Sequence, residues 1–336
     1  MHSPSFLLRR AARDLKVGLL ATRVVAVTAA RRLRHGPKHP EWSADFEVVN
    51  EVIRAVVNLG HREMTLDLQR ELPARPLSRA VLRKLDWQRT TLAGLPTEQH
   101  TPRDWKPGDL VFLHFHGGAY ALGSPASHRW IAARIALRTG ARCILPEYRK
   151  APEHPYPAAI EDVLSAYQAV LAEGVSPNKL VIGGDSAGGG LAIALMQRLR
   201  ELGLPQPRAA VLMSPWVDLT ARGGTIDAHG HYDYLSSEML IWGASNYLAG
   251  ADPNHPHVSA VFADLAGLPP MLVQSGGSEI LLGQHHTFVE RARAAGVDVS
   301  HEISDGMVHV FHAFARLPAT RKAYRSIATF VRAHVQ

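Results

Sequence analysis

Residues 179–191 read KLVIGGDSAGGGL, and this stretch decides the fold. Its apolar start predicts a buried strand over 179–183, and the apolar residues after the glycines predict a helix over 191–202. Between them lies a G-x-S-x-G pentapeptide centred on Ser186. In such a tight strand–turn–helix connection, glycine allows close backbone approach, and the helix N-terminus favours a developing oxyanion. We predict that Ser186 is a nucleophile; a solvated serine in a glycine-rich turn is the alternative.

Strands alternate with helices on both sides of this turn, from residue 109 onward. Short apolar runs predict strands at 110–115, 141–145, 209–213, 270–274 and 297–303, with helices at 127–139 and 157–172 between them. Apolar strands between amphipathic helices are typical of a mostly parallel sheet covered on both faces, so the fold class is α/β. The stretch 215–265, with a helix at 238–248, is too long for a simple connection and predicts an insertion over the sheet.

The segment after the first of these strands is suited to binding an oxyanion. It reads His116-Gly117-Gly118-Ala119-Tyr120. Backbone N–H donors must come within hydrogen-bond distance of the tetrahedral intermediate, which glycine permits. We predict that Gly117, Gly118 and Ala187 donate their N–H groups. His116 is expected to make a structural hydrogen bond within this loop rather than to act as a base.

The base and the acid are expected at positions later in the chain than the nucleophile, each in a loop that follows a predicted strand. His309 lies in a glycine-containing loop after the last strand, whereas His312 is expected on a helix face. Glu279 follows the strand at 270–274 and is suited to orient the imidazole. Asp305 and Asp264 compete for the acid role, but Asp305 is expected to shape its turn. The predicted triad is therefore Ser186, Glu279 and His309.

Composition excludes several other classes of protein. The 336-residue chain is 46% hydrophobic and 20% charged, which is ordinary for a globular protein with a large core. Its single cysteine, Cys143, lies in an apolar run and is expected to be a buried strand residue. The net charge of +7 belongs to residues 1–35, which hold eight basic residues and one acidic residue; the remainder has 29 of each sign. The main domain is therefore not a nucleic-acid-binding surface.

The basic N-terminal arm admits two interpretations. Its uncharged runs are too short to span a bilayer, and its arginines recur throughout, unlike those of a signal peptide. A helix packed over the active site is favoured over a cationic helix lying on an anionic membrane, because Leu20 and Val27 fall among the basic residues. Residues 45–70 also have helical spacing, with Gly60 as the expected stop.

With these residues identified, the chain resembles the hormone-sensitive-lipase-like family of bacterial esterases, over roughly residues 80–335. The matching segments are the His116-Gly117-Gly118 loop, residues 148–159 (YRKAPEHPYPAA), the Ser186 turn, residues 214–219 (SPWVDL) and the His309 loop. One departure is at the acid. Many relatives have Asp-Pro-Leu and a second aspartate two residues after the leucine, whereas residues 279–283 here read EILLG.

The resemblance implies an α/β-hydrolase fold with a helical cap. Residues 1–85 would form the N-terminal arm and part of the cap, and residues 86–336 the catalytic domain with a cap insertion around 215–265. It also implies a carboxylesterase that hydrolyses short- to medium-chain acyl esters through an acyl-enzyme, with no cofactor and no metal. The expected walls of the substrate pocket are Tyr120, Trp216, Tyr247, Met307, Val308 and Phe311; ordinary core packing is the alternative for each.

Other functions use the same residues. An amide or lactone hydrolase, or an acyltransferase, would need the same triad, and a non-catalytic ligand-binding protein would keep the same fold. We expect a small acyl ester as the partner and no nucleic acid. Two further partners stay open: an anionic membrane contacted through residues 1–35, and a second copy of the chain. A cytoplasmic location is expected, with peripheral membrane association as the alternative.

Overall fold

The computed structural model describes residues 4–70 and 76–335. The first three residues of the N-terminal arm and residues 71–75 of the predicted cap lie outside it. The strands are β1 (Leu85–Leu92), β2 (Leu95–Pro102), β3 (Val111–Phe115), β4 (Arg142–Pro146), β5 (Leu180–Asp185), β6 (Ala209–Met213), β7 (Met271–Gly276) and β8 (Val299–Ser304). The helices are α1 (Pro4–His35), α2 (Ala44–Glu63), α3 (Leu66–Arg70), α4 (Arg79–Leu82), α5 (Pro125–Thr139), α6 (Ala158–Ala172), α7 (Ala187–Glu201), α8 (Gly224–His229), α9 (Ser237–Leu248), α10 (Leu282–Ala294) and α11 (Pro318–His334).

The eight strands form one sheet in the order β1-β2-β4-β3-β5-β6-β7-β8. All pairs from β4 to β8 are parallel, while β1 pairs antiparallel with β2, and β2 antiparallel with β4. The predicted mostly parallel sheet is confirmed. Because the carboxyl ends of parallel strands meet at one edge, the loops after β3, β5, β7 and β8 share that edge, and each carries a predicted site residue.

Each face of the sheet is covered by its own set of helices. Alternating residues of β5 show this: Ile182 belongs to the core beneath α6, α7 and α10, whereas Val181 belongs to the core beneath α5 and α11. Cys143 lies in β4 and is fully buried as a free thiol. Burial of both faces explains why the inner parallel strands read as continuous apolar runs, whereas the edge strand β8 does not.

The hairpin β1–β2 was not predicted. Its strands are polar and partly exposed, so they lack the apolar runs that revealed the others. Its turn is Ala93-Gly94, and both residues have positive φ (51° and 79°), the backbone that tight two-residue hairpin turns require. The strand β2 lies within residues 94–107, a stretch whose glycine and prolines are typical of turns rather than of a strand.

The two N-terminal helices pack on each other, and the start of α2 also packs on the loop that carries His309. Ser43 caps α2, accepting a hydrogen bond from the N–H of Phe46 at 3.2 Å. The helix passes Gly60, the expected stop, and ends at Glu63. Trp42 and Phe46 are buried in one cluster with Met307, Val308 and Phe311. No helix in the described part of the chain is long and apolar enough to cross a membrane.

Candidate active site

Ser186 lies in a strained turn between β5 and α7. Its φ is 53° and its ψ −122°, a backbone conformation that a residue with a side chain rarely adopts and that must be held by its surroundings. Two glycines make the turn sterically feasible. A Cβ on Gly184 would lie 2.2 Å from the backbone of Gly188, and one on Gly188 would lie 2.0 Å from the carbonyl oxygen of Phe115. The Ser186 side chain is partly exposed, whereas its neighbours on both sides are buried.

Glu279 and His309 come together behind this turn. The two follow β7 and β8, and Nδ1 of His309 lies 3.3 Å from Oε2 of Glu279. Burial lowers the pKa of His309, but the hydrogen bond to Glu279 and its charge outweigh burial and raise it. The charge of Asp185, next to Ser186, also raises it. The loop of His309 reaches the turn through Ser214, whose Oγ accepts a hydrogen bond from the N–H of Val310 at 3.1 Å. Because Nδ1 is used by the carboxylate, Nε2 is the ring nitrogen left to exchange protons.

His285 supports Glu279 from the other side. Its Nδ1 lies 2.9 Å from Oε1 of Glu279, close enough for electrostatic attraction although not aligned for a hydrogen bond. Its other ring nitrogen donates to the carbonyl of Pro215 at 2.8 Å, and Ser275 Oγ contacts its Nδ1 at 2.9 Å. Burial raises the pKa of Glu279, but the charge of His285 and the hydrogen bond with His309 bring it below its usual range. Glu279 is therefore held in its ionised form.

A second buried carboxylate, Asp233, was missed by the sequence analysis. It lies between α8 and α9, is fully buried, and accepts a 2.8 Å hydrogen bond from the N–H of Ile280, the residue after Glu279. Burial raises its pKa to about 6, although the charge of His309 opposes this. Asp233 in turn raises the pKa of His309. A negative charge here thus stabilises the imidazolium form of His309.

Tyr234, next along the chain, lies beside His309. The centroid of its ring is 6.1 Å from that of His309, with the ring planes 61° apart. Tyr234 is half-buried, and burial raises its pKa well above the usual value. The segment between α8 and α9 therefore places an aromatic side chain next to His309.

The backbone donors differ from the prediction at one position. The N–H of Gly117 donates to Oδ2 of Asp185 at 3.2 Å, so this predicted oxyanion donor is wrong: its hydrogen is already used. The N–H groups of Gly118, Ala119 and Ala187 have no acceptor in the described part of the chain. Positive φ values at Gly118 (126°) and Ala119 (52°) turn this segment sharply.

Asp185 also fixes the turn to the β3 side of the site. Its carboxylate accepts hydrogen bonds from Nε2 of His114 at 3.0 Å and Nε2 of His128 at 3.1 Å. Burial raises the pKa of Asp185, but the charge of His128 and these hydrogen bonds lower it far below its usual range. Together with the Gly117 contact, they join the nucleophile turn, the oxyanion loop and α5. The motif G-D-S-A-G did not reveal this role.

The six predicted pocket residues form two groups, and none is more than 6% exposed. Tyr120 and Tyr247 stack with centroids 3.8 Å apart, and Trp216 lies 5.8 Å from Tyr120. This group adjoins the nucleophile turn, because the N–H of Trp216 donates to the carbonyl of Ser186 at 2.9 Å. The other group, Met307, Val308 and Phe311, flanks His309 in the cluster with Trp42. Because all six side chains are so deeply buried, they could contact a substrate only if it bound inside an enclosed cavity.

The other candidates for the base and the acid make contacts away from Ser186. Nδ1 of His116 contacts the carbonyl of Gly117 at 2.9 Å, and its ring stacks on Tyr148 at 4.3 Å. His312 is fully buried against Gln274, and burial lowers its pKa to about 3. Asp264 accepts a hydrogen bond from the N–H of Ala266, two residues on. Within the described residues, no cluster of His, Cys, Asp and Glu is arranged to hold a metal ion.

Known proteins resemble this chain in sequence and in fold. Residues 112–313 match the family described by the alpha/beta hydrolase fold. The chain is 39% identical over 242 residues to an acetyl-hydrolase of Streptomyces hygroscopicus, covering 70% of this chain and 81% of that protein. It is 42% identical over 224 residues to an esterase of Acinetobacter venetianus, covering 66% and 74%. A solved esterase of the bacterial hormone-sensitive lipase family superposes with a TM-score of 0.74 at 34% identity, covering 94% and 98%.

The fold, the turn at Ser186 and these similarities define an esterase of the α/β-hydrolase class. Within that class, the chain belongs to the hormone-sensitive-lipase-like family.

Proposed function

We propose that this esterase hydrolyses short- to medium-chain carboxylic esters through an acyl-enzyme on Ser186, with His309 as base and Glu279 as the acid of the triad. The observation that carries the proposal is the buried contact between Nδ1 of His309 and Glu279 beside a strained, partly exposed serine. A nucleophile, a base and a group that orients the base are the parts that serine acyl transfer requires.

In the first half of the reaction, Nε2 of His309 takes the proton of Ser186 Oγ as that oxygen attacks the ester carbonyl carbon. The carbonyl oxygen becomes an oxyanion, and the free N–H groups of Gly118, Ala119 and Ala187 are the donors that we assign to it. The imidazolium then gives its proton to the leaving alcohol as the C–O bond breaks. Glu279 and Asp233 stabilise the imidazolium during this interval.

In the second half, water replaces the alcohol. His309 removes a proton from water, the resulting hydroxide attacks the acyl carbon, and the proton returns to Ser186 Oγ as the carboxylic acid leaves. The acid of the triad does not itself take the proton. No metal or cofactor is needed to balance these steps.

The preference for short acyl groups rests on the aromatic stack. Tyr120, Trp216 and Tyr247 are packed against one another next to the turn, and we infer that this stack limits the length of the acyl group. The Streptomyces relative is named an acetyl-hydrolase, which supports the same preference.

The test is hydrolysis of p-nitrophenyl esters with acyl chains from acetyl to palmitoyl, by the wild type and by Ser186→Ala side by side. We expect turnover to be highest with the short chains and to fall at least about 10³-fold in the variant. A wild type that hydrolyses none of these esters would refute the proposal. It would direct attention to amides and lactones, which the same triad can attack.

A further inference from the structure

The helix α1 has one face packed on α2 and one face open to solvent. At 3.6 residues per turn, the open face is a sector of about 120°. No charged residue occurs in it from residue 11 to residue 33. Its members, all exposed, are Ala11, Ala12, Leu15, Gly18, Leu19, Thr22, Ala26, Ala29, Ala30 and Leu33. We call these ten residues the outer stripe.

The three leucines make the outer stripe unusual for a solvated surface. Leu15, Leu19 and Leu33 are 67%, 66% and 89% exposed. Single exposed leucines are common, but a continuous apolar face more than four helical turns long is typical of a surface that contacts something. Folding of the chain does not need these leucines, since the opposite face of α1 makes the contacts with α2.

That opposite face is fixed by specific contacts. Arg31 and Arg32 both bind Glu47, which is fully buried on α2. Arg13 donates to the carbonyl of Leu68 at 2.8 Å. The orientation of α1 about its own axis is therefore set by the protein, and the outer stripe is held outward.

Basic side chains border the outer stripe. Lys16, Arg23 and Arg34 lie along one edge of it, and Asp14 is the single acidic residue of the whole helix. Lys16 pairs with Glu63. Arg23 and Arg34 are exposed and have no ionic partner within the described residues. An apolar face with unpaired cations at its edge matches the boundary between anionic headgroups and acyl chains.

A groove runs beside this basic edge, between α1 and α2. It is an open depression of about 410 Å³. Its walls include apolar Leu20, Val24 and Val27 and basic Arg23 and Arg54, with Glu51 as the acidic member. Glu51 is paired with Lys38. The groove therefore has the same two kinds of side chain, apolar and basic, as the outer stripe and its edge, and it lies on the side of α1 that faces α2.

We propose that α1 lies on an anionic lipid bilayer, with Leu15, Leu19 and Leu33 at the level of the acyl chains and Arg23 and Arg34 at the phosphates. A second copy of the chain fits this surface less well. Two α1 helices packed antiparallel through their outer stripes would bring their basic edges together, and like charges in contact are destabilising. Each basic residue near an anionic bilayer is instead attracted to the lipid phosphates.

The experiment is co-sedimentation of the full-length protein with vesicles of phosphatidylcholine, alone or mixed with phosphatidylglycerol. We expect binding to the mixed vesicles that weakens with salt. The double variant Leu15→Glu/Leu19→Glu should reduce it at least about tenfold, because two anchoring leucines are replaced by repelled carboxylates. Arg23→Glu/Arg34→Glu should remove the preference for phosphatidylglycerol. The matched control is Ile241→Glu, at an exposed apolar position on α9 (58% exposed), which should bind as the wild type does.

Thermal unfolding of each variant establishes that it folds, so that loss of binding is assigned to the surface. Equal binding by the wild type and the leucine variant would overturn the proposal, as would failure of the wild type to bind either vesicle. Light scattering distinguishes the rival occupant: a wild-type dimer that the leucine variant abolishes, without vesicle binding, would assign the outer stripe to a second copy. None of these outcomes depends on which ester the enzyme hydrolyses.

Discussion

Replacing Asp233 by asparagine is expected to make the protein more stable and less active at alkaline pH. The pKa of this buried carboxyl is raised from 3.8 to about 6. One pKa unit corresponds to about 1.4 kcal/mol, so an ionised Asp233 costs the folded state about 3 kcal/mol. Between pH 3.8 and pH 6 the folded protein holds a proton that the unfolded chain has released, and stability falls as the pH rises through this interval.

Asparagine removes this cost and keeps most of the contacts. Its amide oxygen can still accept the hydrogen bond from the N–H of Ile280. We therefore expect the stability advantage of Asp233→Asn over the wild type to grow by about 2 kcal/mol between pH 4.5 and pH 8. Urea unfolding at the two pH values measures it. The matched control is Asp227→Asn, an exposed position on α8 that should show no such growth.

The same substitution should slow catalysis. Without the charge of Asp233, the imidazolium of His309 loses stabilisation, so we expect kcat on p-nitrophenyl butyrate to fall about tenfold, with a lower apparent pKa for the base. A variant that is less stable than the wild type at pH 8, or whose stability difference is independent of pH, would refute the reasoning. Unchanged kcat would show that Asp233 has no part in the reaction.

Three further predictions concern the site and its support. Glu279→Gln should lower kcat on the order of 10³-fold, because an ion pair between Glu279 and protonated His309 at this distance is worth roughly 4 kcal/mol. Steady-state kinetics tests this prediction, and Asp305→Asn, at an exposed position, is the control that should keep its activity. The kcat/KM profile of the wild type should fall as the pH drops through an apparent pKa above 6.5, since protonated His309 cannot act as base; a limb below 6.5 would contradict this. Trp42→Ala should cost about 3 kcal/mol in urea unfolding, because it empties the cluster beneath the His309 loop, whereas Leu33→Ala on the exposed face should cost almost nothing.

The site residues that could be predicted from the sequence are those that lie in a short local motif. Ser186 and Glu279 each follow a recognisable apolar strand, and His309 follows the more polar edge strand β8. Parallel strands bring their following loops to one edge. The strand β6 was predicted to the residue because both of its faces are buried. The β1–β2 hairpin escaped because it is polar, and its Ala-Gly turn is not among the usual turn dipeptides.

The parts that were not predictable depend on contacts between distant segments. Asp233 is 47 residues from Ile280 in sequence, and nothing near it indicates that it is buried against the acid of the triad. The identity of the oxyanion donors depends on Asp185, which binds the N–H of Gly117 across 68 residues. A glycine motif shows that N–H groups are accessible, but only the folded chain shows which of them are free.

The central claim, that Ser186 is the nucleophile and His309 its base, is tested most directly by covalent trapping. A fluorophosphonate reacts with an activated serine: the serine oxygen bonds to phosphorus, fluoride leaves, and the proton passes to the base. Mass spectrometry of the digested protein should find one adduct, on the peptide that contains Ser186, and much slower labelling in His309→Ala. An adduct on another residue, or labelling of Ser186→Ala at the wild-type rate, would contradict the account.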